Sequence, residues 1–404
     1  MINGDGIIIN LGYKDSSICL RLYLANLKET NKMKVVYLGY YNSEKYNRNS
    51  SPAAVTMMDY VAQAVQSFGY DVTIISPAQG SGTSDKIIDN EKVETVYLPS
   101  YGVGKNLLGK ASRRINKNRD LYEELLDRVD EDTTLIVYHS LAYIGVLKKI
   151  RRKRKFRLVL QVNEIYADVT KDYETRKKEI AWLNSADAYL FSTLLLTKEI
   201  DCTHKPYSVC LGTYRDEPRL PEVIKEEGQI HMVYAGTFDE TKGGGYSAIR
   251  CAKYLPSYYH LHICGFGNES QIHNIKEAIK ETSSESCCQI SYEGCLYGKE
   301  YIKMLQMCDI GLSTQIPEAE YNNTSFPSKV LSYMSNGLQV ISARIPAIEA
   351  SPVGRYIHYY DEQTPEKIAE GIQRINLREC KDTRSVIRKL NADFCEHLGK
   401  VLVA

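Results

Sequence analysis

Short apolar runs of strand length alternate with amphipathic stretches of helix length along most of the chain. The first series of strand patterns comprises MKVVYLGYY (33–41), YDVTIIS (70–76), VETVYLP (93–99), TTLIVYH (133–139), FRLVLQVNE (156–164), DAYLFST (187–193) and YSVCLG (207–212). These runs are too continuously apolar for strands with one wet face, which is typical of parallel sheets covered by helices. The pattern predicts a doubly wound α/β domain over residues 33–212.

A second series of the same kind follows. It comprises IHMVYAG (230–236), YHLHICG (259–265), CQISYEG (288–294), DIGLST (309–314) and LQVISAR (338–344). Between the two series, residues 213–229 contain two prolines and mixed charge without periodicity, which predicts a linker. We therefore expect an α/β protein with two Rossmann-like doubly wound domains, 33–212 and 230–383, that face a cleft. Helical spacing of apolar residues predicts a final helix within 384–404.

Composition narrows the class of protein further. A chain of 404 residues favours two domains, and 51 Lys+Arg against 50 Asp+Glu gives no global reason to expect a nucleic-acid partner. The 11 cysteines lack paired metal-ligand spacing, so we interpret them as reduced thiols of a cytoplasmic protein. Residues 1–32 lack the features of a secretion signal, and we expect a disordered extension or an upstream start, since Met33 opens the first strand.

The segment TSFPSKVLSYMSNG (324–337) predicts a helix start with unusual electrostatics. Pro327 suits the first turn, where its missing N–H would be unpaired anyway, and Ser325 or Ser328 can cap neighbouring N–H groups. Lys329 then adds a positive charge at the positive end of the helix dipole, which favours a bound anion such as a phosphate. The plainer alternative is a simple helix start with a solvated lysine.

Two further loops follow predicted strands at the same edge of the second sheet. AGTFDETKGGG (235–245) places Gly236, Thr237, Lys242 and Gly243 after one strand, and CGFGNES (264–270) follows the next. The first of these loops matches neither the dinucleotide fingerprint nor the Walker lysine loop. Because the carboxyl ends of parallel strands bind ligands, three such loops at one edge indicate a nucleoside diphosphate.

The order of these blocks resembles glycosyltransferases of the GT-B architecture over roughly residues 33–380. The pattern is a strand, G…KG, CGFG, YEGCLYGKEYIKMLQMCDIGLS and FPSKVLSYMSNGLQVIS. It is similar to the large family of retaining glycosyltransferases that includes sucrose synthases and bacterial polysaccharide transferases, and we describe this resemblance as family 4-like. Thr237 stands where many members carry an arginine, and Thr324 and Ser332 stand where the family has its paired glutamates. The chain resembles a variant in which the Pro-Ser-Lys helix start contacts phosphate.

The resemblance implies two groups of donor-site residues. For the donor diphosphate they are Gly236, Thr237, Lys242, Gly243, Ser328 and Lys329. For the nucleoside and sugar they are Gly265, Gly267, Leu296, Asn322, Asn323, Thr324 and Ser325.

The first domain is then expected to hold the acceptor. His139 ends a strand, in the position of the family's strand-end histidine, and Glu164 ends the next strand. We expect these two as catalytic residues; the alternatives are a structural hydrogen-bonding histidine and a surface carboxylate. The loop 40–55 is expected to contact substrate through Ser50 and Ser51, although it lacks the family's usual paired glycines. The last helix is expected either to cross back to the first domain, as is common in this architecture, or to pack on its own domain, since the apolar spacing fits both.

The resemblance implies transfer of a sugar, with retention, from a UDP-sugar to a glycan or lipid-linked glycan in bacterial surface polysaccharide synthesis. Lysines and helix N-termini would stabilise the leaving diphosphate, so we expect neither a metal nor a cofactor. Two alternatives remain: a nucleotide-sugar epimerase of the same architecture, and a non-catalytic nucleotide-sugar-binding subunit.

One charged run stands apart from these motifs. KKIRRKRKFR (148–157) lacks the interleaved aromatics of a nucleic-acid site, so no nucleic-acid partner is expected. It is either a solvated helix end or a surface for anionic lipid on the inner face of a membrane.

Overall fold

The computed structural model describes residues 33–43, 45–80, 85–102, 107–170, 172–223, 227–240, 243–317 and 325–403. The predicted N-terminal extension 1–32 lies outside the described residues. The same holds for four predicted site residues: Lys242, Asn322, Asn323 and Thr324.

The first sheet has eight strands. They are β1 (Lys34–Leu38), β2 (Asp71–Ser76), β3 (Ile87–Asp89), β4 (Glu94–Tyr97), β5 (Thr133–Tyr138), β6 (Arg157–Val162), β7 (Ala188–Phe191) and β8 (Tyr207–Val209). Their order is β3-β4-β2-β1-β5-β6-β7-β8, and β3 runs antiparallel to β4. Without β3, this is the strand order of a Rossmann-like sheet with an added edge strand.

The second sheet has six strands. They are β9 (Ile230–Thr237), β10 (Tyr259–Phe266), β11 (Gln289–Gly294), β12 (Ile310–Ser313), β13 (Gln339–Ser342) and β14 (His358–Tyr359). The order is β11-β10-β9-β12-β13-β14 and every pairing is parallel. This is the 3-2-1-4-5-6 order of a doubly wound fold, which reverses direction between β9 and β12.

Helices connect most of the strands. They are α1 (Pro52–Ser67), α2 (Leu107–Arg128), α3 (Ile144–Arg151), α4 (Tyr166–Thr170), α5 (Tyr173–Leu183), α6 (Gly244–Cys251), α7 (Glu269–Ser283), α8 (Gly298–Met307), α9 (Ser328–Ser335), α10 (Pro346–Glu349), α11 (Pro365–Gln373) and α12 (Thr383–Val403). In the second sheet, α6 packs on β9 and β10, α7 on β11, and α9 on β12 and β13. None of the described helices is long and apolar enough to cross a membrane.

The sequence pattern locates the long strands and misses two short ones. In β5, five consecutive residues, Thr133–Val137, are buried, as the continuous apolar run predicts. The missed strands β3 and β14 consist of three and two residues that are partly exposed. Such short edge strands carry too few buried positions to leave a pattern in the sequence.

The chain divides into two compact units that do not coincide with the two sheets. One holds the described residues up to Ile136 together with Val146–Arg157, and the other holds Val137–Gly145 and the described residues from Leu158 onward. The predicted domain boundaries at 212 and 230 therefore remain a prediction. The described cysteines are free thiols.

The predicted linker and the last helix belong to the second of these units. Described residues of 213–229 form neither helix nor strand, but the segment is anchored at Pro218 and Leu220. Gln306 on α8 accepts a hydrogen bond from the Leu220 N–H at 2.8 Å and donates one to the Pro218 carbonyl at 2.8 Å. Helix α12 packs on both β8 and α9, so it contacts a strand of the first sheet and a helix of the second.

Candidate functional site

The strand order of the second sheet reverses between β9 and β12, and the carboxyl ends of these strands carry the predicted diphosphate residues. Gly236 and Thr237 end β9. Strand β12 pairs with the middle of β9, with Gly311 opposite Val233. In open α/β sheets, ligands bind where the order reverses, because loops and helix N-termini diverge there. We call the set Gly236, Thr237, Gly243, Ser328 and Lys329 the donor edge.

Glycines allow the loops of the donor edge to approach each other closely. Gly265 in β10 has φ +155°, and a Cβ there would lie 1.9 Å from the carbonyl oxygen of Gly236. Gly243 has φ +63°, and a Cβ there would lie 2.7 Å from Cδ1 of Ile316. A side chain at either position would be both strained and obstructed. The predicted glycines therefore fix the backbone that borders the site.

Lys329 places its ammonium at the carboxyl end of β9. Its Nζ lies 4.2 Å from the centre of the Tyr234 ring, a cation–π distance. A Cβ at Gly236 would lie 3.0 Å from the same Nζ. Lys329 is also the second residue of α9, so its charge adds to the positive end of the helix dipole.

The N-termini at this edge differ in how they are capped. Helix α9 begins at Ser328, with Pro327 as the N-cap and no side-chain cap from the residues that the structure describes. The prediction that Pro327 occupies the first turn and that Ser325 or Ser328 caps it was wrong, because Pro327 adopts extended ψ 105° outside the helix. Helix α6 starts after Gly243, which has no side chain to offer.

Helix α7, by contrast, is closed by its own residues. Asn268 accepts a hydrogen bond from the Gln271 N–H at 2.9 Å, and Gln271 accepts one from the Asn268 N–H at 2.9 Å. This capping box satisfies two of the N–H groups that a ligand would otherwise use. The loop 264–270 therefore differs in kind from the loops before α6 and α9, and Gly267 lies directly before this box.

A hydrogen-bond network that the sequence analysis did not identify ties the donor edge together. Thr314, just after β12, donates from Oγ1 to the Gly244 carbonyl at 2.7 Å. Gln363 donates from Nε2 to the Thr314 carbonyl at 2.9 Å and to Ser247 Oγ at 3.0 Å. These contacts hold the start of α6 against the end of β12. Gln363 lies far along the chain, and no local pattern marks it.

The remaining predicted donor residues are only partly placed. Ser325 is half-buried before α9, and Leu296 is half-buried between β11 and α8. The Thr237 carbonyl accepts a hydrogen bond from the Tyr234 hydroxyl at 3.0 Å. The nucleoside and sugar contacts of these residues stay predictions, as does the diphosphate contact of Lys242.

A second group of polar residues follows β5 and β6 of the first sheet. His139 comes directly after β5 and is buried, with 2% of its surface exposed. Its Nε2 lies 2.7 Å from Oε1 of Glu179 on α5, which is fully buried. Glu179 also accepts hydrogen bonds from the backbone N–H groups of Tyr166 at 3.0 Å and Ala167 at 2.9 Å.

The pair leaves one imidazole nitrogen available. Since a carboxylate can only accept, His139 donates its Nε2 proton to Glu179, and in the neutral imidazole Nδ1 then carries the lone pair. This Nδ1 is buried and has no hydrogen-bond partner among the described residues. A buried acceptor without a partner is costly, and a substrate hydroxyl would satisfy it. Glu179 was missed because its 40-residue separation from His139 leaves no local signal.

Two carboxylates of this group have pKa values shifted in opposite directions. Burial, together with the charge of Glu179, raises the pKa of the half-buried Glu164. Burial acts to raise the pKa of Glu179 too, but hydrogen bonds from His139 and the N–H groups of Ala167 and Tyr166 outweigh it and lower the pKa. Carboxylates in contrasting environments are suited to different proton-transfer roles. We call His139, Glu164 and Glu179 the acid–imidazole group.

The predicted acceptor-loop serines lie at the start of α1. Ser51 is its exposed N-cap, Pro52 is the first helical residue, and no side chain caps this terminus. The Ser51 carbonyl accepts the first helical hydrogen bond, from the Val55 N–H at 3.0 Å. Ser50 directly precedes it outside any helix or strand, so both serines lie at a helix N-terminus that has no side-chain cap among the described residues.

Comparison with known proteins relates the fold to solved glycosyltransferase structures. A trehalose-6-phosphate synthase from E. coli, bound with UDP-2-fluoro glucose, matches 92% of this chain and 99% of its own at 10% identity and a TM-score of 0.62. The sucrose-phosphate synthase of Thermosynechococcus elongatus matches 92% of this chain and 95% of its own, at 12% identity and a TM-score of 0.60. The trehalose-6-phosphate synthase of Burkholderia multivorans matches 92% of this chain and 96% of its own, at 11% identity and a TM-score of 0.63.

No family model and no curated protein sequence matches this chain. The structural likeness extends over most of each chain, and at these identities it concerns the fold. The predicted fold class is confirmed: the chain is an α/β protein with two Rossmann-like domains, the GT-B fold.

Proposed function

We propose that this protein is a glycosyltransferase that moves a sugar from a nucleoside-diphosphate donor to a glycan or lipid-linked glycan. The observation that carries the proposal is the donor edge, where Lys329 and the open start of α9 lie at the end of β9. The GT-B fold supports it, as does UDP-2-fluoro glucose in one similar structure. In this proposal residues 33–212 bind the acceptor and residues 230–383 the nucleotide-sugar.

The donor edge is suited to stabilise a leaving diphosphate. As the bond between the sugar and the diphosphate breaks, negative charge grows on the phosphate oxygen. An ammonium and helix N–H groups that are already in place stabilise this charge without reorganisation. Each charge-assisted hydrogen bond contributes about 1.5–3 kcal/mol when shielded from water. We therefore propose departure without a metal, with Lys242 as a second ammonium.

The acid–imidazole group is suited to position the acceptor. His139 Nδ1 accepts a hydrogen bond from a substrate hydroxyl, and Glu179 holds the ring in the required tautomer. In a retaining transfer the acceptor oxygen forms the new bond to the sugar, and its proton passes to the departing phosphate oxygen. Glu164, with its raised pKa, binds a further acceptor hydroxyl.

We propose a UDP-sugar as donor and bacterial surface polysaccharide synthesis as the setting. The Pro-Ser-Lys start of α9 and the threonine at 324 distinguish this chain from the paired-glutamate pattern of the family 4-like enzymes it resembles. One similar structure, from Burkholderia xenovorans, is a complex with glucose-6-phosphate, a phosphorylated sugar. The acceptor proposed here is a glycan instead, and assays should include both kinds.

We further propose that the protein works at the inner face of the membrane, through a surface of α2. Leu107, Leu108 and Ile115 expose 84%, 81% and 66% of their surfaces on its first turns. At 100° per residue these three fall within one third of the helix circumference, and Lys110 and Arg114 border them. Such an amphipathic helix is typical of proteins that lie on an anionic bilayer.

The basic run extends this surface. Lys148 and Lys149 are exposed on the last turn of α3, and Lys153 lies 5.9 Å from the ring centre of Tyr122 on α2. Each basic residue near an anionic bilayer contributes about 1 kcal/mol. Replacing Leu107, Leu108 and Ile115 by serine should reduce the fraction bound to phosphatidylserine vesicles, whereas I88S, at another exposed position, should not. Equal binding of both variants would remove the membrane proposal.

Activity is tested by incubating the protein with single nucleotide-sugars, with and without bacterial lipid-linked glycans. Transfer releases one nucleoside diphosphate per glycan extended, in the presence of EDTA as in its absence. An epimerase would instead yield an isomer of the nucleotide-sugar, and a binding subunit would change neither compound. Either of these outcomes across a full donor panel would refute the proposed transfer.

A further inference from the structure

Three histidines gather on one face of the second sheet, apart from the donor edge. His231 lies on β9, and His260 and His262 lie on β10. His260 is the register partner of His231, and alternate residues of a strand point to the same face. One ring nitrogen from each histidine lies within 4.8 Å of the other two.

We propose that His231, His260 and His262 form a binding site for a late first-row divalent metal ion, Zn²⁺ in particular. Imidazole nitrogen is a preferred ligand of Zn²⁺, and three histidines with a fourth position for water or a carboxylate form a complete tetrahedral set. Oxygen-preferring ions such as Mg²⁺ would not bind to such nitrogens. The inference is independent of the proposed transfer.

The neighbouring strand supplies the outer contacts that metal-binding histidines usually have. On β11, Glu293 Oε1 lies 2.7 Å from Nδ1 of His262, and Ser291 Oγ lies 2.7 Å from Nε2 of His260. A carboxylate on the far nitrogen fixes the tautomer and ring orientation, and it makes the other nitrogen a better ligand. His262 therefore presents the lone pair of Nε2 to the cluster.

The distance between the first two ligands fits this interpretation. Nδ1 of His231 lies 3.0 Å from Nε2 of His262, so the two nitrogens share one proton. Two ligands at about 2.0 Å from a tetrahedral ion are separated by only slightly more than this. An incoming ion takes the place of the shared proton: His231 changes from its Nδ1–H to its Nε2–H tautomer, so Nδ1 offers its lone pair while the imidazole stays neutral, as metal binding to histidine requires.

The cluster is shielded yet reachable. His231 and His262 expose 5% and 3% of their surfaces, whereas His260 and Glu293 are half-buried. His231 and His260 are the second residues of their strands, and the donor edge lies at the opposite, carboxyl ends. We therefore assign the ion a role in holding β9, β10 and β11 together, and no part in sugar transfer.

The sequence itself carries a signal for this site. YHLHICG has a His-x-His spacing, which places two imidazoles on one face of a strand, and IHMVYAG supplies a third histidine on the preceding strand. Cysteine spacing alone gives no reason to look for a metal here.

The test uses untagged full-length protein stripped with EDTA and titrated with Co²⁺ and Zn²⁺. Wild type should bind one ion, give the visible absorption bands of tetrahedral Co²⁺, and melt roughly 4 °C or more higher with Zn²⁺ at a hundredfold excess over Kd. H260Q and H262Q should lose this site, E293Q should bind roughly 10–100-fold more weakly, and H273Q, on the surface of α7, should match wild type.

Metal-free melting curves show whether each variant folds, and E293Q, at a half-buried position, keeps the test informative if a histidine variant does not. Absence of Co²⁺ bands in wild type would overturn the proposal and leave a chain of hydrogen-bonded imidazoles. Binding that is unchanged in H260Q, H262Q and E293Q would also overturn it, since the ion would then occupy another place.

Discussion

The ends of the two sheets carry two different arrangements of polar groups. The acid–imidazole group relies on buried side chains that pair with each other and with backbone N–H groups. The donor edge relies on glycines, open helix starts and one ammonium above an aromatic ring. The first arrangement can accept and orient protons, and the second can stabilise negative charge. Chemistry that depends on side chains should respond differently to substitution from chemistry that depends on the backbone.

The largest effect is expected from Glu179→Ala. This change leaves His139 and two backbone N–H groups without their acceptor in a buried place, so we expect a loss of about 3–5 kcal/mol of unfolding free energy. Turnover should fall with it, because the imidazole loses its fixed tautomer. Urea unfolding measures the loss.

The matched control for Glu179 is Glu174→Ala, on the exposed first turn of the same helix. It should cost less than about 1 kcal/mol, because it removes only a favourable charge near the helix N-terminus. Similar losses in both variants would contradict the special role of the buried pair.

At the donor edge, the most informative substitution is Gly265→Ala, which adds a Cβ atom. Gly265→Ala would place a Cβ against the Gly236 carbonyl, whereas Gly294, with φ +75°, has nothing within 4 Å of its Cβ position. Gly294→Ala therefore measures backbone strain alone, and Gly265→Ala should be destabilised by about 1–3 kcal/mol more, because the backbone must shift. Equal melting temperatures for the two variants would show that the β9 and β10 loops do not approach as described.

The smallest effect is expected from pH. Because the pKa of Glu179 is lowered in the folded protein, the unfolded chain binds more protons in acid, and the stabilisation is present above the unfolded pKa of about 4.5. It is lost as the pH falls through the folded pKa. Glu179→Gln should flatten this loss between pH 6 and pH 3, and Lys329→Ala should retain it. If the unfolding free energies of wild type and Glu179→Gln fall in parallel as the pH is lowered, the pKa of Glu179 is not lowered in the folded protein.

The sequence predicted the features that repeat along the chain and missed those that join distant segments. Continuous apolar runs located the long strands, and the glycines and Lys329 at their ends were identifiable because strand, turn and helix start are adjacent in sequence. The missed features depend on contacts between residues far apart in the chain. The separation is 40 residues for Glu179 with His139, 31 for His231 with His262, and 49 for Thr314 with Gln363. Pro327 was misplaced by one residue, since helix boundaries depend on local ψ rather than on composition.

The central claim, a diphosphate bound at the donor edge, is tested most directly by calorimetric titration of wild type and Lys329→Ala with UDP and with uridine. Lys276→Ala serves as the control, because Lys276 also lies over an aromatic ring, 5.0 Å from the centre of Tyr292, but on the capped helix α7. Lys329→Ala should bind UDP roughly 10–100-fold more weakly and bind uridine as wild type does. Lys276→Ala should bind both compounds as wild type does. Equal losses for UDP and uridine, or an equal loss in Lys276→Ala, would contradict the claim.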